Sequence, residues 1–432
     1  MSASVESILV ANFRQSTDKI LNYFWIGFIL YTASYALATT TAVNYILCQG
    51  LQVIGILILV PASVRLISWK FTNQYLRVIF IIYSVWQLSI ILRATNFDYL
   101  NIKDLMFDAE LGLFRFFVPL IILFPKNLLY FKKTLIAILV LGAVFLLYDG
   151  LFIKNLMNLD YENNNTKFTY EHFVKVLSVP CGLVLLTFPY QKKRVKYFAI
   201  AVLVVSAIFA IIRARRALLF LTISPLLFSY MLYLYSQKKK FFTLLLPFLV
   251  SMLLLFYGVK NYSNNTPEVL SLLFGRATED TRTNVEIMFY RDMNLQDWFI
   301  GKGIDGQYFC PGIETGTHAI YRNMIETDYL NIILKGGLIS FVLLLMIAIP
   351  AFVKGLFYSE NLLSKGAAIW ILLWLFDLYP ATVNTFSLHH LTFWIAIGIC
   401  YSEVIREIPE KTLTRIFLLK KVEEKSDFRS ED

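Results

Sequence analysis

Charge is what this chain has least of: Asp, Glu, Lys and Arg together make up 16% of its 432 residues, well under the share a water-facing surface carries. An ordinary soluble enzyme is excluded. Cysteine and histidine are scarce too, four of each. Cys48, Cys181, Cys310 and Cys400 lie far apart with no pair at metal-ligand spacing, so neither a disulfide framework nor a zinc site is implied. Long polar stretches are missing except at residues 260–337. What fills the chain is apolar: 57% of residues are hydrophobic, mean hydropathy is +0.61, and apolar runs of about twenty residues recur. A bilayer offers no water to unpaired peptide groups, and runs this long suit helices rather than barrel strands of about ten alternating residues. The expected fold is all-α, a polytopic transmembrane helical bundle with one large extracytoplasmic loop carrying short helices.

Hydropathy places about twelve spans, near residues 20–40, 46–66, 76–96, 105–124, 132–152, 170–190, 196–213, 216–236, 241–259, 327–352, 366–386 and 387–406. The chain thus divides into spans one to nine at 1–259, a large outer loop at 260–326, spans ten to twelve at 327–406 and a charged cytoplasmic tail at 407–432. Residues 20–38, ending Ala36-Leu37-Ala38, have the form of a signal peptide, but the apolar pattern runs on and favours a retained first span. A net charge of +10 would suggest nucleic acid in a soluble protein. Here the positive-inside rule accounts for much of it. Arg65, Lys70 and Arg77, then Lys126, Lys132 and Lys133, then Lys192, Lys193, Arg194 and Lys196, then Lys238 to Lys240 all fall on one side, which is therefore cytoplasmic together with both termini.

That register leaves Arg213, Arg215 and Arg216 on the outer side, against the rule the rest of the chain obeys. Arginine at membrane depth is costly, which favours a functional reason over a tolerated exception. Arg213 and Arg216 share a helical face. Asp108 and Arg115, seven residues apart in the fourth span, fall on one face as a candidate pair, and Asp377 precedes Pro380 in the eleventh. His389 and His390 are expected near the outer surface, solvated.

In the outer loop, Thr283-Asn284-Val285-Glu286 has the form of a capping box opening a short helix. Arg282 and Glu286, four apart, form an ion pair on the plain reading, while the sharper reading aims Arg282 at an anionic substrate, since guanidinium grips phosphate as a fork. Gly301-Lys302-Gly303-Ile304-Asp305-Gly306 spells G-x-G-x-x-G, yet without a βαβ unit it is no dinucleotide fingerprint, only a tight turn beside Trp298 and Phe299. His318 is a candidate base or a merely hydrogen-bonded side chain. Glu326 and Asp328 head the tenth span, as proton acceptors or as helix caps.

An arginine closing a span before Arg216-Ala217-Leu218-Leu219, a large outer loop with Arg282, Trp298 and a Gly-x-Gly turn, and Tyr329-Leu330 leading to Lys335-Gly336-Gly337-Leu338-Ile339 together resemble the O-antigen polymerase and O-antigen ligase superfamily. The resemblance covers residues 213–345. It implies a glycosyltransferase of the cytoplasmic membrane's outer face that takes an oligosaccharide from an undecaprenyl pyrophosphate carrier. It further implies no cofactor and no metal, and a flippase and a chain-length regulator as partners. Glu326 and Thr327 stand where ligases carry His and Asn, which tilts the expectation toward a polymerase. For that reaction Arg215, Arg216 and Arg282 are the expected stabilisers of the diphosphate, with Glu326 the first candidate base and His318 and Asp328 behind it. Arg213, Arg216, Arg276, Arg291, Arg322, Asp328, Tyr329 and Trp298 are the expected substrate contacts, and Tyr308 and Tyr321 further sugar-stacking candidates. The alternatives are a ligase acting on a lipid or protein acceptor and, from a different class, a transporter of the lipid-linked sugar using Asp377, Arg115 and Asp108.

Overall fold

The computed structural model describes residues 15–40, 43–71, 73–95, 98–125, 128–153, 170–213, 215–237, 282–311 and 320–418. The expected ninth span, Arg276 and His318 lie outside them. The described residues form an all-α protein with one two-residue hairpin, and seven helices are long and apolar enough to cross a membrane. These are the marks of a multi-pass membrane protein.

The first three helices, α1 (Gln15–Ala38), α2 (Tyr45–Leu66) and α3 (Gln74–Leu92), match the first three expected spans. Between apolar helices in lipid, close van der Waals contact replaces the hydrophobic drive, and α1 meets α2 through Gly27 and Gly55. A Cβ on Gly27 would stand 2.8 Å from the Gly55 carbonyl oxygen. The fourth expected span is instead α4 (Tyr99–Phe107), a turn at residues 108–112, and a 3₁₀ helix at Leu113–Leu123. The cause is Asp108: its Oδ1 accepts from the peptide nitrogens of Glu110 at 2.6 Å and Leu111 at 3.2 Å, which pulls the chain out of the helix.

Helix α5 (Leu128–Leu151) follows, then a broken sixth segment in which a π turn at Val174–Ser178 and Pro180 precede α6 (Cys181–Leu186). Helices α7 (Lys193–Ile212) and α8 (Arg216–Ser236) meet at the arginine cluster. Beyond come α9 (Thr283–Asp292), α10 (Leu295–Ile300) and the antiparallel pair β1 (Tyr308–Phe309) and β2 (Tyr321–Arg322), then α11 (Asp328–Phe357), α12 (Leu362–Asp377) and α13 (Leu388–Tyr401). Every residue of α13 is buried. A helix apolar on all sides belongs at the centre of a bundle, and Phe393 packs there against Trp374 of α12 and against Trp394. Residues 378–387 join α12 to α13 without regular structure, which is tolerated inside a membrane protein only where protein covers the backbone. Two amphipathic pieces, α14 (Glu403–Glu407) and α15 (Glu410–Leu418), close the described chain.

The Gly-x-Gly turn makes a clip. Helix α11 is broken at Gly337, whose φ is 68°, and the turn after α10 fills the break: Lys302 N donates to the Leu334 carbonyl at 2.7 Å and Gly303 N to that of Lys335 at 3.0 Å. Lys335, buried, reaches back to the Gly306 carbonyl at 2.8 Å. No nucleotide fold surrounds it, and the reading as a tight turn holds.

Candidate functional site

The turn at residues 108–112 lies at one end of the bundle and sets the geometry of what surrounds it. Gly112 is required there, because a Cβ on it would fall 2.0 Å from the Asp108 carbonyl oxygen. The turn points Glu110 at the broken sixth segment, where its Oε1 stands 3.3 Å from His172 Nδ1 and 3.9 Å from Lys175 Nζ. Lys175 also pairs with Glu171 at 3.0 Å, and Glu171 in turn with Arg215 Nη1 at 3.5 Å. Lys175 lies in the π turn, four residues after Glu171. Such turns often mark functional sites. Arg115, 2% exposed, donates from Nη1 to the Glu110 carbonyl at 2.9 Å, and its Nε has no hydrogen-bond partner among the described residues.

Residues 378–387 tie α11 and the residue before α9 to this cluster. Asp328, fully buried, accepts from Val383 N at 2.8 Å and Asn384 N at 2.5 Å. It interacts electrostatically with Arg115 and Lys175. Arg282 donates to the carbonyls of Tyr379 at 3.0 Å and Pro380 at 2.8 Å and pairs with Glu326 at 3.5 Å. Phe386 N donates to the Ala109 carbonyl at 2.7 Å, which closes the circuit back to the turn.

Burial and charge set the two carboxylates of the turn apart. Burial raises Asp108, an effect its neighbour Glu110 reinforces. Burial also acts to raise Glu110, but Lys175 and His172 outweigh it and hold its carboxyl down to about 2. Two acids in one turn, pushed in opposite directions, are a pattern of acid and base assignment.

Several expectations change. Arg213 and Arg216 do not share a face, since α7 ends at Arg213 and α8 begins with Arg215 as its N-cap. Arg213 is buried and Arg216 exposed. Arg282 pairs with Glu326 and not Glu286. The expected capping box is also absent: Arg282 is the N-cap without a side-chain bond, and Glu286 accepts from the Thr327 hydroxyl at 2.6 Å. A capping box does form at Asn294 and Asp297. His389 and His390 are buried, His389 Nε2 lying 3.4 Å from Asp377 and His390 bonded to Trp394, because α13 is central and not peripheral. Tyr308 is a core residue, packed on Phe289 with its hydroxyl on the Met324 carbonyl. Asp108 and Arg115 are not on one helix, although they still interact electrostatically.

Of the other expected contacts, Arg291 is exposed on α9, Arg322 lies in β2, Tyr329 is half-buried at the head of α11, and Trp298 stacks on Tyr290 at 6.0 Å. Glu110, Glu171, His172 and Lys175 escaped the sequence reading. Glu171-His172 followed by Lys175 at the head of an apolar run was their available signal. Among the described residues no group of three or more His, Cys, Asp or Glu is placed to hold a metal ion. Compared with family models, curated proteins and solved structures, the chain matches none.

Proposed function

We propose that the protein is a polysaccharide polymerase that transfers glycan from an undecaprenyl pyrophosphate carrier to a sugar hydroxyl at the outer face of the cytoplasmic membrane. One observation carries this reading: Lys175, His172, Arg215 and Arg115 are gathered around Glu110 and Glu171 at the end of the bundle where Arg282 also lies. As the anomeric bond breaks, negative charge grows on the departing diphosphate. Fixed cations in a low-dielectric setting stabilise such charge. Arg215 and Arg282 keep 29% and 30% of their side chains exposed, so each is able to turn from its carboxylate to phosphate oxygens while Lys175, 13% exposed, stays with Glu171. The resemblance around residues 213–345 points the same way.

Asp328 is committed to two peptide nitrogens and is a scaffold in this reading, whereas Glu326, the first expected base, is 59% exposed and pairs with Arg282. The ligase alternative shares the donor chemistry and differs only in the acceptor. The transporter alternative draws on the buried Asp377 and His389, whose Oδ1 and Nε2 have no hydrogen-bond partner among the described residues. The test is polymer length in cells. Arg215→Ala and Arg282→Ala, at unchanged protein level, should leave single repeat units on the carrier. Normal length distributions in both would remove the proposed site, and loss of carrier-lipid translocation with intact transfer would favour transport.

A further inference from the structure

Beside the ionic cluster is a cleft of about 170 Å³ that the proposed chemistry has not used. Its walls are the ends of α1 and α2 and one side of α4: Tyr35, Tyr45, Gln52, Lys103, Asp104 and Asp108. Gln52 is 2% exposed, and among the described residues its amide has no hydrogen-bond partner. Gln52 lines the open cleft, so its amide is available to a ligand that enters. Lys103 lies over the Tyr45 ring at 5.3 Å. Tyr35 joins cleft to cluster, since its hydroxyl donates to Asp108 Oδ1 at 3.4 Å and its ring meets that of His172 at 6.0 Å. The second carboxylate oxygen of Asp108 accepts no bond within the described residues and belongs to the cleft lining.

This wall offers an amide that both donates and accepts, an ammonium, carboxylates and two aromatic faces. That mixture suits a neutral polyhydroxylated ring, whose hydroxyls donate and accept and whose C–H faces rest on aromatics. A phosphate would meet Asp104 and Asp108 with like charge. The space is too small for a carrier lipid and large enough for one sugar ring.

We propose that this cleft seats the acceptor sugar, with Gln52 and Lys103 fixing the ring and Asp108 taking the proton of its attacking hydroxyl. The assignment rests on the transfer reading. In the step, the acceptor oxygen forms a bond to the anomeric carbon and the bond from that carbon to the diphosphate oxygen breaks. The bonding pair leaves with the diphosphate, and the hydroxyl proton passes to Asp108.

The test separates sugar binding from transfer. Saturation-transfer NMR on the full chain in nanodiscs, with the methyl glycosides of glucose, galactose and mannose as probes and glycerol 3-phosphate as a headgroup control, should show binding of at least one glycoside. Gln52→Leu should weaken that binding about fivefold, the worth of one hydrogen bond of ~1 kcal/mol. Lys103→Ala, on a more open helix face, should weaken it without touching the fold. Asp108→Asn should keep binding and lose chain elongation. Binding of glycerol 3-phosphate alone, or glycoside binding in Gln52→Leu and Lys103→Ala equal to that of the unaltered chain, overturns the subsite even if Arg215→Ala abolishes elongation. Weaker glycoside binding by these two variants sustains it even if Arg215→Ala elongates normally, in which case the transfer reading falls alone. Normal elongation by Asp108→Asn overturns the proton-accepting role.

Discussion

Glu110 and Lys175 show how single side chains decide this site. Both are largely shielded from water, and Lys175 serves two carboxylates, Glu110 and Glu171, so removing it weakens both pairs at a cost of up to about 3–5 kcal/mol, moderated by His172 and Arg215, which stay in place. Lys175→Met should therefore lower the thermal unfolding temperature in detergent sharply. Arg291→Met, on an exposed face, should change stability by about 0.5 kcal/mol or less. The pH dependence follows from direction. Glu110 has a folded value of about 2, below its ordinary 4.5, so its contribution is complete above the ordinary value and is lost as pH falls through the folded one. Unfolding temperature should drop as pH goes from about 5 toward 2, and Glu110→Gln should lack that part of the drop. Asp108 shifts the other way: raised by burial, it favours the folded state while protonated and gives up that stability as pH rises through its range. If it accepts the acceptor's proton, elongation should fall away on the acid side at a pH above the ordinary carboxylate value.

At the scale of elements, the breaks carry the function and the regular helices hold them in place. The sharpest break is at Gly337, where a Cβ would fall 2.0 Å from the Phe299 carbonyl oxygen and φ is 68°. Gly337→Ala should unseat the Gly-x-Gly turn, raising protease sensitivity around residues 295–306 and costing more than the ~1 kcal/mol of an ordinary helix glycine change. These breaks also explain what the sequence could not reveal. Apolar runs locate helices well, and α1, α2, α3, α5, α7 and α8 begin and end near where hydropathy puts them. A window of twenty residues averages over an Asp108 that caps its own turn, and over a π turn one residue wider than the α register. The expected fourth and sixth spans therefore read as single helices. Arg215 stood out because it runs against the charge bias of the other short loops, and Arg282 because a guanidinium in the long polar stretch can grip an anion. Glu110 and Glu171 did not, because their partners come from other elements and no local spacing pairs them.

Across the whole molecule, a buried helical pair, α12 and α13, forms the axis, and residues 378–387 at its end are the common anchor for Asp328, Arg282 and the turn at residues 108–112. Side chains distant in sequence thereby meet at one end of the bundle: Tyr35 from the first helix, Lys175 and Arg215 from the middle, Asp328 from the eleventh. In the proposed orientation, which rests on the charge bias of the short loops, that end faces outward, toward the leaflet that would present a lipid-linked sugar. The central claim is that the cations there receive a diphosphate, and equilibrium binding of undecaprenyl pyrophosphate without sugar tests it most directly. With the full chain in nanodiscs, binding should saturate, weaken with salt, and fall roughly ten- to a hundredfold in Arg215→Ala, the range of a charge-assisted hydrogen bond. Equal affinity in Arg215→Ala and the unaltered chain would contradict the account.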